Sequence, residues 1–71
     1  MTNITREVVG ILIKNRRLKI GITQKELGDL LGTDKQYVWN IENGRINITL
    51  DYLEKIIHVL KCSPQDFFNI D

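Results

Sequence analysis

The chain is poor in several residue types that small proteins use for support or for chemistry. Its single cysteine, Cys62, cannot close an intramolecular disulfide, so no covalent staple is expected. Cys62 therefore reads as a small packing residue. The single histidine, His58, follows Glu54 and Lys55 with no second histidine and no clustered cysteines around it. Metal-ligand spacings and a histidine-based proton relay are absent, and His58 is expected at the surface. Five glycines in 71 residues form no glycine-rich phosphate loop, and no nucleophile–base set can be assembled. The expectation is a non-enzyme with no cofactor and no metal. Long apolar runs are missing too. VVGILI is six residues long and stops at Lys14, far short of the roughly 20 needed to span a bilayer. The N-terminus, MTNITREVVG, lacks a basic segment followed by an uninterrupted apolar stretch, so no signal peptide is read and a cytoplasmic location is expected.

What remains is an ordinary globular composition, 42 % hydrophobic and 27 % charged. A chain of this size, read as one domain over 1–71, lies near the lower limit for a self-supporting core. With no disulfide available, oligomerisation is the remaining source of buried area. Net charge is only +1, yet it is uneven. From Lys14 to Arg45 seven basic residues face four acids; outside that span three basic residues face five acids. The positive share therefore falls on the middle of the chain, where a phosphate backbone would be met.

That middle carries the most informative pattern. Residues 24–43 read QKELGDLLGTDKQYVWNIEN. Leu27, Leu31, Val38 and Ile41 fall where two crossed helices need apolar contacts. Gly28 falls at their close approach and Gly32 at the turn between them. This is the spacing of a helix-turn-helix. Around it the sequence predicts an all-α chain of five helices. The first runs from about Thr5 to Ile20, with Val9, Ile13, Arg17 and Ile20 at helical spacing and Gly21 as the stop. Thr23-Gln24-Lys25-Glu26 is a capping box that opens the second. Thr33 or Asp34 caps the third, with Gln36 able to complete a box from Thr33, and Asn43-Gly44 closes it. Thr49 caps the fourth, whose buried face is expected to comprise Leu50, Leu53, Ile56, Ile57 and Leu60. Ser63-Pro64 starts a last helix, Gln65 to about Asn69.

The second helix of a helix-turn-helix enters the major groove by its N-terminal end. Here that end presents Lys35 and Gln36, followed one turn later by Trp39 and Asn40. Lysine suits the acceptor pair of guanine and glutamine the donor–acceptor edge of adenine. Lys35 and Gln36 are expected to be the principal base readers, with Asn40 beside them. Trp39 is expected to point outward, against a thymine methyl or a sugar-phosphate strand; the alternative is an indole folded over a neighbouring helix. Thr23 and Gln24, at a helix N-terminus, are expected to hold a phosphate, and Asn43 and Arg45 to clamp the same strand. Arg17, on the inward stripe of the first helix, needs a partner for its charge. Glu42 is expected to supply it and so tie the first helix to the third.

These stretches resemble the Cro/cI-like, or XRE, helix-turn-helix family over essentially residues 9–68. The matching runs are RRLKIGITQKELGDLLG, TDKQYVWNIENGR and ITLDYLEKIIHVLKCSPQDFF. The resemblance implies a five-helix, lambda-repressor-like domain that binds operator DNA, usually as a homodimer. It implies base contacts from Lys35, Gln36, Trp39 and Asn40, phosphate contacts from Gln24, Asn43 and Arg45, and the Arg17–Glu42 bridge. Several positions depart from the family's habit. Gly28 replaces an alanine, Arg16 an apolar residue and Lys61 a C-terminal glycine, while Ile57 and Val59 stand where alanine is frequent. The short length is similar to restriction-modification controller proteins and small phage repressors. In such proteins a C-terminal helix often builds the dimer, so segment 63–71 is the expected dimerisation element. Phe67, Phe68 and Ile70 form its apolar end, and one phenylalanine, with Ile70, is expected in a two-fold interface. The competing expectation is an antitoxin-like module that masks a partner toxin, with DNA binding secondary.

Overall fold

Each helix begins where a short polar side chain replaces the missing intrahelical acceptor. The computed structural model describes residues 5–69 and, among these, contains helices and no strand. They are α1 (Arg6–Lys19), α2 (Gln24–Leu31), α3 (Lys35–Glu42), α4 (Leu50–Val59) and α5 (Pro64–Phe67). Thr5, Thr23, Asp34, Thr49 and Ser63 occupy the five N-caps, and each side-chain oxygen accepts from an amide three residues on. At Thr23 the box is complete: Glu26 N donates to Thr23 Oγ1 at 3.0 Å and Thr23 N to Glu26 Oε1 at 2.8 Å. Asp34 takes the α3 cap alone, its Oδ1 accepting from Tyr37 N at 2.8 Å. The second box from Thr33 to Gln36 therefore does not form. The aspartate lies one residue nearer the helix and satisfies the amide first.

The helices end by reversing into left-handed backbone. Gly32 does so after α2 with φ 76°. Lys61 does so after α4 with φ 60°, and a side chain there carries a steric cost. Arg16 supports that turn, its Nη2 donating to Lys61 O at 3.1 Å and its Nε to Leu60 O at 3.4 Å. This explains an arginine at a position where an apolar residue is the habit: it satisfies carbonyls that the end of α4 leaves open. Lys55 Nζ reaches Leu31 O at 3.4 Å and serves the end of α2 in the same way.

The core draws on all five helices. Val9 and Ile13 from α1, Leu27 and Leu31 from α2, and Val38 and Ile41 from α3 meet Leu53, Ile56, Ile57 and Leu60 of α4 and its end, with Phe67 of α5. Burial of a side chain of this kind contributes about 1.5–3 kcal/mol against exposure. Two glycines set the helix approaches. A Cβ on Gly28 would lie 2.9 Å from the Asp34 carbonyl carbon, and one on Gly10 would lie 2.5 Å from Ile41 O. Tyr52 packs edge-on against Tyr37, with ring centroids 6.2 Å apart, and burial raises its hydroxyl pKa above the ordinary value.

Three expectations at the C-terminal end need correction. Leu50 does not belong to the buried face of α4: it is the first helical residue and 78 % exposed. The last helix starts at Pro64 and spans four residues rather than running from Gln65 to about Asn69. Phe67 is not available for a subunit interface, because only 4 % of its surface is exposed and it closes the protein's own core. Phe68 is half-buried, edge-on to Phe67 with centroids 4.9 Å apart. Ile70 lies outside the described residues.

Candidate nucleic-acid interface

α3 is an eight-residue rod with one face committed to the core. Val38 is fully buried and Ile41 nearly so, because positions three apart share a helix face. Lys35 and Gln36, in its first turn, are consequently exposed, and Asn40 is half-exposed. Trp39 retains 39 % of its surface, an unusual exposure for so large an apolar side chain. Gln24, Lys35, Gln36 and Trp39 together line one shallow concavity, so the start of α2 and the outer face of α3 form a continuous surface.

The rod is aimed by a buried charge network. Arg17 Nε donates to Glu42 Oε2 at 2.6 Å and Nη2 to Glu42 Oε1 at 3.1 Å, a bidentate pair with both side chains buried. Arg17 Nη1 also donates to Ile22 O at 2.9 Å. One pair thus fixes α1, the connection before α2, and the end of α3. Its environment is closed because Gly10 lets α1 lie directly on the Ile41 and Glu42 carbonyls.

Gln24 belongs to the same network, which its position at the head of α2 does not reveal. Its Nε2 donates to Glu42 Oε1 at 3.1 Å. A carboxylate only accepts, so the amide nitrogen is the end turned to Glu42. The first intrahelical amide bond of α2 is Leu27 N to Thr23 O, 3.0 Å, which leaves the amides ahead of it facing out. Thr23 is exposed and its oxygen is occupied by Glu26 N, although its own hydroxyl hydrogen is not needed by the box.

At the other end of α3 the expected clamp residues are arranged differently from one another. Asn43 Nδ2 donates to Trp39 O at 2.8 Å, so its side chain closes its own helix. Arg45 is exposed, and its guanidinium carbon lies over the Trp39 ring, 5.3 Å from the centroid. Sequence spacing hides this contact because Asn43-Gly44 turns the chain between the two residues. Gly10 was legible in principle, lying one turn before Ile13 and two before Arg17 on the inward stripe.

Away from this surface, His58 is exposed on α4. Cys62 is half-buried, with burial pushing its thiol pKa up, Arg16 lowering it and Asp66 raising it. No helix among the described residues is long and apolar enough to cross a membrane.

The surface and its supporting network recur in known proteins. A family model described as helix-turn-helix matches residues 13–67. The control protein C.BamHI of Bacillus amyloliquefaciens is 33 % identical over 70 residues, covering 97 % of this chain and 86 % of that protein. Among solved structures, the restriction-modification controller protein C.Esp1396I, a tetramer in complex with its natural 35-base-pair operator, superposes with a TM-score of 0.81 at 33 % identity, over 94 % of this chain and 88 % of its own. The controller protein C.AhdI from Aeromonas hydrophila gives a TM-score of 0.79 at 28 % identity, over 89 % and 91 % of the two chains. With α2 and α3 crossed over Gly28 and a matched span that takes in all but the first part of α1, the chain belongs to the helix-turn-helix family, in kinship with the restriction-modification controllers.

Proposed function

We propose that the chain is a cytoplasmic transcriptional regulator, binding a near-palindromic operator as a homodimer and acting in the manner of a restriction-modification controller. The observation that carries this reading is the outward pair Lys35 and Gln36 at the N-terminal end of a helix whose Val38 and Ile41 are held in the core. Lys35 and Gln36 read base edges in the major groove, with Asn40 beside them. Thr23, Gln24 and Arg45 hold phosphates on either side, and Asn43 chiefly fixes the turn that carries Arg45. The relatives named above are controllers, one of them bound to its operator, which favours DNA over a toxin as the principal partner.

Two copies are needed to place two recognition helices about 34 Å apart on one face of the duplex. The surface around Leu50, Ile48 and Phe68 suits a two-fold contact. It is apolar, concave and built from the N-terminal turn of α4 and the residue after α5. The expected dimer element therefore keeps Phe68 and gains Leu50.

Selection of bound duplexes from random DNA tests the assignment, with Lys35→Ala and Gln36→Ala run alongside. Each variant is expected to lose preference at one defined position per half-site, about 1–3 kcal/mol of discrimination, while keeping salt-dependent binding. Gln24→Ala is expected to weaken all sequences alike. Unchanged base preference in both α3 variants would overturn the reading.

A further inference from the structure

Arg45 and Trp39 are joined more tightly than base reading and phosphate clamping each require. The guanidinium lies 5.3 Å from the indole centroid, within the roughly 6 Å over which a ring's quadrupole attracts a cation. The backbone beneath them is fixed as well. Asn43 N donates to Trp39 O at 3.0 Å and Arg45 N to Asn40 O at 2.9 Å, while Asn43 Nδ2 adds a second bond to Trp39 O. Gly44, at φ 72°, is wedged against Glu7, where a Cβ would come within 2.9 Å of the Glu7 Cγ. The turn is thus bound to the last turn of α3 on one side and to the first turn of α1 on the other. Only the Arg45 side chain could still wander, and the indole holds it.

Resting on the DNA-binding reading above, we propose that Trp39 is a positioning residue for Arg45 rather than a reader of thymine. An arginine in solvent gives up rotamer freedom when it clamps a phosphate; one already stacked on a ring has given it up beforehand, so association loses less. The indole also lines the concavity of Gln24, Lys35 and Gln36, which sets the arginine beside the base-reading tips. Trp39 thereby contributes affinity and orientation, and base choice stays with Lys35 and Gln36.

The test uses the full chain and the duplex that the wild type recovers from random DNA, made once with thymine and once with deoxyuridine. Trp39→Ala, Trp39→Phe, Arg45→Ala and the double alanine variant are compared, with Lys35→Ala in parallel. Trp39→Ala and Arg45→Ala are each expected to weaken binding about fivefold to tenfold and to lower the salt slope by about 0.9, the signature of one phosphate contact. The double variant is expected to bind no more weakly than either single one. Trp39→Phe keeps a ring for the cation and is expected to recover most of the affinity. Replacing thymine by deoxyuridine is expected to affect wild type and Trp39→Ala equally. Additive losses in the double variant, or a deoxyuridine penalty seen in wild type and absent in Trp39→Ala, would overturn the positioning role. Lys35→Ala separates the two claims. If it relaxes base preference while the tryptophan and arginine losses add, only the positioning role fails; if the wild type recovers no preferred sequence, the DNA reading fails with it.

Discussion

Glu42 is a single carboxylate that three donors share: Arg17 Nε, Arg17 Nη2 and Gln24 Nε2. Removing it would leave the Arg17 charge buried with only the Ile22 carbonyl, a loss of about 3–5 kcal/mol for a broken buried pair. For a domain of this size Glu42→Ala is expected to lower the Tm by at least about 12 °C, read by circular dichroism. An unchanged melt would show that the pair contributes nothing. Lys61 is the opposite case, a residue that opposes the fold locally. Its left-handed backbone costs an L-residue about 1–2 kcal/mol, part of which glycine's greater unfolded-state freedom returns. Lys61→Gly is therefore expected to raise stability by roughly 0.5–1 kcal/mol, a Tm increase of about 2–8 °C. Both residues stood out in the sequence, Glu42 as the partner of an inward arginine and Lys61 as a departure from glycine. The role of Arg16 did not, because its acceptors are backbone carbonyls some 45 residues away, and carbonyls leave no mark in a sequence.

At the level of elements, caps and stripes placed α1 to α4 within a residue or two, because both signals are local. They failed where the tertiary environment decides. Leu50 fits the apolar stripe of α4 yet lies in its first turn, beyond the reach of the core. The Thr33 box was equally allowed by spacing and lost to Asp34 by geometry alone. The decisive relation between elements is the approach of α1 to α3 over Gly10. A methyl there would stand 2.5 Å from Ile41 O and 2.6 Å from Glu42 O, both backbone atoms that cannot swing aside. Gly10→Ala must push the helices apart even though alanine is the better helix former by about 1 kcal/mol. The expected result is a net loss of stability, together with operator affinity reduced through the displaced α3. A gain in stability on thermal melting would show that the approach is looser than it stands here.

At the scale of the whole molecule, the small core and the exposed Leu50 surface point the same way. The protein measures 34 × 23 × 20 Å, so one copy cannot span two successive major grooves. Leu50→Asp is expected to give a monomer at tens of micromolar by sedimentation, with the melt of the subunit itself moved by no more than about 0.5 kcal/mol. A wild type that sediments as a monomer under the same conditions would remove the interface. Stability should also respond to alkaline pH. Tyr52 and Cys62 both have pKa values raised in the folded state, chiefly by burial. Above about pH 9 the unfolded chain releases protons that the native protein retains, so stability falls as pH rises. Melts between about pH 8 and pH 11 are expected to decline, and in Cys62→Ala the early part of the decline should be absent.

The sequence by itself determined the five helices, the crossed pair at its centre, the identity of the outward tips Lys35 and Gln36 and the need of Arg17 for a partner. Each of these follows from spacing along one helix or from the chemistry of one cap, interactions that act over three or four residues. The tertiary structure alone decided which phenylalanine enters the core, where Gln24 turns its amide, that Arg45 rests on Trp39 and that Leu50 is left outside. Those outcomes depend on distances between segments far apart in the chain. Packing fixes such distances collectively, and no single stretch of residues encodes them.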